Sequence, residues 1–166
     1  MLSIRPKWCE KIASGEKTIE VRKTRPKLKT PFRCYIYCTQ SDDANRLRGS
    51  QGKVIGEFTC ERIVPIEYDG GRLWCPTNAA FSPATCLSQA EIIAFIGDKG
   101  RCYGWHISNL KIYDVPRELS EFERPYECNE CDAKWATECN ACHEEGKIKR
   151  APQSWCYVEE VRDEHC

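Results

Sequence analysis

The amino-acid sequence predicts a mostly β, barrel-like α+β domain. Three observations support that expectation. Runs rich in β-branched and aromatic residues, such as residues 32–39 (FRCYIYCT), are separated by turns marked with Gly and Pro. Helical spacing of apolar residues is confined to two short segments. The length of 166 residues fits one domain with room for a small appendage, and no internal repeat or low-complexity tract is visible.

The elements follow in order. Pro6 suits a first helical position, and Trp8, Cys9, Ile12 and Ala13 then share one face. Gly15 follows as a C-terminal cap, so residues 6–14 read as a short helix. Residues 18–24 alternate as a strand, with Ile19 and Val21 on one face and Thr18, Glu20, Arg22 and Thr24 on the other. Pro26 and Pro31 bracket a basic loop, RPKLKTP, that leads into the 32–39 strand. A polar connection (SDDANRLRGSQG) precedes a long β run over 53–68, and the stretch GGRLWCPTNAAFSPATCLS reads as irregular. Ser88 caps a short helix, QAEIIAFIG, that ends at Gly97. Residues 101–114 form another strand, with a bulge where the alternation slips at Ser108 and Asn109. After an acidic stretch and a cysteine cluster, SWCYVEE reads as a closing strand.

Composition places the chain among ordinary globular proteins, with 41% hydrophobic and 30% charged residues. No apolar run approaches the roughly 18 residues needed to cross a bilayer, and MLSIRPKWCEK lacks an apolar signal core. The expected location is the cytoplasm, where thiols stay reduced. Cysteines 9, 34, 38, 60, 75, 86, 102 and 156 are scattered, mostly beside apolar residues, and read as small buried hydrophobes.

The net charge is zero, but the charge is unevenly spread. Residues 1–33 hold ten Lys or Arg against three acids, whereas residues 114–166 hold seven against fourteen. Either the basic third faces a phosphate backbone or the two ends neutralise each other in the fold.

The segment CNECDAKWATECNAC places Cys128, Cys131, Cys139 and Cys142 as two C-x2-C pairs separated by seven residues. Paired thiolates at this spacing each take two corners of a tetrahedron, which fits zinc and, less well, iron. His143 is a substitute ligand, and the gap suits a small knuckle better than a full ribbon. Four uncoordinated thiols in an exposed loop is the plainer alternative. A zinc-ordered loop here would form a lid or a contact surface for a protein partner.

The stretch SGEKTIEVR, residues 14–22, gathers Lys17, Glu20 and Arg22 around one strand start. Glu20 and Arg22 sit two apart, so their Cα atoms lie roughly 7 Å apart on one face. A carboxylate there can accept from a base edge or activate water, and Arg22 can hold it or grip a phosphate. Gly15, Lys17, Glu20 and Arg22 match the GxKxxExR signature of the ASCH domain, a relative of the PUA RNA-binding domain. The preceding helix SIRPKWCEKIASG and the later YGWHISNL strand also resemble that family, in the same order. The likeness spans residues 1–114 and the closing PQSWCYVEE, and is nearest to the small bacterial and phage-borne members.

The resemblance implies a PUA-like β-barrel over 1–117, a cysteine-rich insert over 118–151, and a closing strand with a tail over 152–166. It also implies a cleft beside the first helix that binds RNA or a modified nucleoside. Candidate catalytic residues are Lys17 and Glu20. Candidate RNA contacts are Arg5, Lys7, Trp8, Gly15, Arg22, Arg25, Trp105 and His106, with Trp8 and Trp105 foremost among the aromatics for base stacking. One branch of the family hydrolyses acetylated cytidine with a lysine, a threonine and a glutamate. Lys17 matches that lysine, but Glu20 stands where the threonine belongs, and neither Thr18 nor Thr24 is in register. A ribonuclease using Lys, Glu and Arg for general-base chemistry and charge stabilisation is a further reading, with His106 as acid–base partner. A salt-bridged strand rim with no chemistry remains the plain alternative, and the reach of Glu57 is left open.

Overall fold

The computed structural model describes residues 1–41, 49–75, 81–125 and 146–160. Eight strands and three helices occur among them: β1 (Leu2–Ile4), α1 (Pro6–Ala13), β2 (Ile19–Arg22), β3 (Phe32–Cys38), β4 (Lys53–Tyr68), β5 (Leu73–Trp74), α2 (Phe81–Thr85), α3 (Gln89–Ile96), β6 (Arg101–Arg117), β7 (Phe122–Glu123) and β8 (Glu159–Glu160). The main sheet has the order β1-β3-β4-β6-β2, with β5 paired to β4, and β7 and β8 form a separate two-stranded sheet. The fold is therefore mostly β with short helices, as the sequence implies.

Among the described residues the hydrogen-bonded path does not close into a barrel. The edge of β1 away from β3 is already occupied. Ser3 N–H donates to the Ser154 carbonyl at 3.0 Å, Leu2 bridges Trp155, and Cys156 N–H donates to the Met1 carbonyl at 3.0 Å. Part of SWCYVEE thus edges β1, while Glu159 and Glu160 pair instead with β7.

The chain divides into two compact units. The first comprises Met1–Pro6, Tyr35–Gly56 and Tyr113–Cys166. Its β1 runs parallel to β3, with Leu2 opposite Ile36 and Ile4 opposite Cys38. Its core is Met1, Tyr35, Tyr37, Val54, Phe122 and Ile148. The Phe122 ring meets Tyr35 edge-on and carries the Arg117 guanidinium 4.7 Å from its centroid. Arg117 in turn pairs with Glu121 at 2.7 Å and Glu160 at 2.8 Å.

The second unit comprises Lys7–Cys34 and Glu57–Ile112. Val21, Ile66, Ile92, Ile96 and Cys102 form its core. In α1 the apolar stripe buries Cys9 and Ile12 completely, whereas Ala13 is exposed. Helix α3 starts with a full capping box. Ser88 Oγ accepts from the Glu91 N–H at 3.2 Å, and Glu91 Oε2 accepts from the Ser88 N–H at 2.8 Å. In β6 the expected slip appears as a left-handed backbone at Asn109 (φ +46°), and the strand then runs three residues past the expected end. Helix α2 lies in the stretch read as irregular. Its Pro83 sits in the first turn, where a missing N–H costs nothing, and five residues are too few to show a helical period.

Candidate functional site

The chain reverses after α1 at Gly15, whose φ of +78° a side chain would resist. Gly15 N–H donates to the Ile12 carbonyl at 3.0 Å, and Lys17 N–H reaches the Lys11 carbonyl at 2.8 Å. Thr18 is then held on both sides. Its N–H donates to the Ala84 carbonyl of α2 at 2.9 Å, and its carbonyl accepts from Ile107 N–H of β6 at 2.9 Å. These bonds fix Lys17 at the mouth of β2 with its side chain directed inward.

All four residues of β2 are buried, including its charged pair. Lys17 is 2% exposed, Glu20 6% and Arg22 9%. Lys17 Nζ donates to the Thr85 carbonyl at 2.7 Å and lies 3.3 Å from Glu20 Oε2. Arg22 Nη2 lies 3.0 Å from Glu20 Oε1. Both carboxylate oxygens are therefore engaged, each by a different cation. The Trp8 ring is half-buried, with Lys17 Nζ 5.2 Å from its centroid and the exposed Lys7 Nζ 4.2 Å away.

Strand register sorts the remaining candidates. In β2 and β6 the directly opposed pairs are Ile19–His106, Glu20–Trp105, Val21–Gly104 and Arg22–Tyr103. Opposed residues share a face, and neighbours along a strand alternate. Trp105 therefore lies on the face of Glu20 and Arg22, and His106 lies on the other with Ile19 and Val21. His106 is not brought to the charged cluster. Its Nε2 is buried without a hydrogen-bond partner, and burial pushes its pKa down, with Arg62 adding to the shift and Glu61 opposing it. Trp105 is only 2% exposed and meets Phe32 edge-on at 5.8 Å, so it is a core ring rather than an open stacking platform.

Arg5 is exposed and belongs to the first unit. Arg25 lines a separate groove of about 500 Å³ with Lys27, Leu28, Lys29 and Ile63. Glu57 lies 3.9 Å from Arg33 and is not part of the Lys17 cluster. The sequence reading missed Thr85, fully buried on α2, whose contribution is a backbone carbonyl. A carbonyl has no side-chain signature to find.

Five of the eight scattered cysteines (Cys9, Cys34, Cys38, Cys60 and Cys102) are buried, consistent with small hydrophobes. Burial pushes the Cys34 and Cys102 thiols up to about 12 and Cys60 up to about 11, which makes them unreactive. Cys128, Cys131, Cys139, Cys142 and His143 lie outside the described residues. Among the described residues no group of three or more His, Cys, Asp or Glu is placed to hold a metal.

A mostly β sheet flanked by short helices defines the fold class. The ASCH domain model matches residues 2–157, and the chain belongs to that family. Among solved structures it is similar to ASCH from Zymomonas mobilis, with 19% identity over 98% of this chain and 87% of that one, and a TM-score of 0.59. A tyrosine-to-phenylalanine mutant of that protein matches at 18% identity over 98% and 88%, and a serine-to-alanine mutant at 18% over 98% and 87%, both with a TM-score of 0.59. At these identities the likeness shows the fold. No curated protein matches the chain. No helix among the described residues is long and apolar enough to cross a membrane.

Proposed function

We propose that the protein binds RNA or a nucleotide at the GxKxxExR motif, with Lys17, Glu20 and Arg22 as the charged floor and Trp8 with Lys7 as the accessible rim. The observation that carries this reading is the burial of two cations around one carboxylate. The three groups hold a formal charge of +1 between them, in surroundings where charge is strongly felt. A phosphate or an electron-rich base edge arriving over Trp8 is the ligand chemistry that such a cluster attracts, and a half-exposed indole is suited to stack an unpaired base. Filter binding of single-stranded RNA at two ionic strengths tests the reading. Tighter binding at low salt, weakened by Trp8→Ala, is expected; no binding at low salt refutes it.

A hydrolase acting on RNA or on a modified nucleoside is the second reading, supported by the 3.3 Å ion pair of Lys17 with Glu20, which sets two groups capable of acid–base chemistry side by side. It is the weaker reading because Glu20 has both oxygens engaged, whereas a general base needs one oxygen facing the substrate. Turnover of an RNA or acetylcytidine substrate that survives unchanged in Lys17→Ala and Glu20→Gln excludes catalysis by this cluster. For the cysteine-rich segment the reading is a zinc-ordered loop that contacts a protein partner, supported by the spacing of its four thiols.

A further inference from the structure

The C-terminal third is acidic, with seven bases against fourteen acids, yet four of those seven bases converge on one place. Arg124, Lys147, Lys149 and Arg150 line a groove of about 420 Å³ in the first unit. A short antiparallel pairing sets their positions. Arg124 N–H donates to the Gly146 carbonyl at 3.0 Å, Ile148 N–H donates to the Phe122 carbonyl at 2.9 Å, and Glu123 bridges Lys147. Phe122, Glu123 and Ile148 are buried, and Lys147 is half-buried. Arg124, Lys149 and Arg150 are exposed, and among the described residues none of the three holds an ion pair.

We propose that this groove binds the phosphodiester backbone of a single-stranded nucleic acid, as a site separate from the Lys17 cluster. Among the described residues that line the groove there are four cations and no carboxylate, which favours a polyanion over a single small anion. Lys147 and Lys149 are two apart on an extended segment, roughly 7 Å, a spacing suited to successive phosphates of an extended strand. Arg124 and Arg150 add planar forks that match phosphate oxygens in pairs. No aromatic residue is among the described residues lining the groove, so these hold the strand by its backbone without reading its bases.

The test uses the full chain and a short fluorescent oligouridylate. In Arg124→Gln/Lys149→Gln/Arg150→Gln the dependence of log affinity on log salt should flatten by about 2, since each phosphate contact to a single strand contributes about 0.7. A wild-type measurement that needs no variant runs alongside it. Acetylation of Lys149 should slow severalfold when the oligonucleotide is added, while that of the exposed Lys99 is unchanged. Lys17→Met should leave the Lys149 protection intact, which separates this groove from the site proposed above. An unchanged salt slope in the triple variant, or unprotected Lys149, overturns the proposal. Equal protection of Lys149 by polyglutamate overturns the nucleic-acid assignment in favour of an acidic polypeptide.

Discussion

Glu20→Gln is the sharpest perturbation of the charged cluster. The Glu20 side chain is 8% exposed and neutralises two buried cations, Lys17 at 3.3 Å and Arg22 at 3.0 Å. A glutamine of the same shape keeps one acceptor oxygen but turns an amide donor toward one of the cations. Removing one partner of a buried pair costs about 3–5 kcal/mol, because the surviving charge stays buried without compensation. In a chain this size each kcal/mol moves the midpoint of thermal unfolding by about 2–4 °C, so Glu20→Gln should lower Tm by roughly 6–20 °C. Lys17→Met should cost less. It retains the Glu20–Arg22 pair and leaves the Thr85 carbonyl without its donor, a loss of about 1–3 kcal/mol. The double variant should be less destabilised than the sum, with a coupling of about 0.5–3 kcal/mol. Denaturant titration of all four proteins, compared at equal m, measures each quantity. A Glu20→Gln protein within about 1 kcal/mol of wild type would show that the carboxylate does not compensate these cations, and the argument from burial would fail.

Three further outcomes are expected. In Gly104→Ala the new Cβ would stand 3.0 Å from Ile19 Cγ2 and 3.3 Å from Val64 Cγ2, an overpacking that should cost about 1–3 kcal/mol by denaturant titration. Burial favours the neutral His106 imidazole in the folded protein, so its contribution is complete above the unfolded-state pKa of about 6.5 and is lost as pH falls through the lower folded value. The drop in stability between neutral and mildly acidic pH should therefore shrink in His106→Gln, and equal drops in the two proteins would contradict it. Protein purified without chelator should carry about one equivalent of zinc. Cys131→Ser with Cys139→Ser should remove it and expose residues 126–150 to protease, whereas native protein with four freely titratable thiols in this loop and no zinc would exclude a metal site.

Local chemistry made much of the fold legible in advance. The 53–68 run is a strand with the bounds read from its β-rich composition, and Ser88 with Glu91 announces α3 through a capping box complete within four residues. The elements that escaped notice depend on distant partners. The three residues of β1 have no period of their own and become a strand by lying parallel to β3. A barrel was expected from the strand pattern and from family likeness, but among the described residues the outer edge of β1 is held by residues about 150 positions away, a choice between competing edges that no local pattern expresses.

The charged cluster shows the same division more sharply. Alternation along β2 correctly sets Glu20 and Arg22 on one face, but it does not say whether that face meets water or protein. Lys17 precedes the strand, so no period governs it. It reaches Glu20 because the chain turns at Gly15 and because Lys17 N–H is pinned to Lys11. Helix α2 then supplies the Thr85 carbonyl to Lys17 Nζ, and a strand face that reads as a polar rim becomes a buried one. Lys17, Glu20 and Arg22 consequently depend on one another: either cation alone on a buried strand would be costly, and the carboxylate between them offsets that cost while leaving a net positive charge. A solvated rim would tolerate any polar residues in this stretch. A buried one requires complementary charges at this spacing, and that requirement is the physical content of the GxKxxExR pattern here.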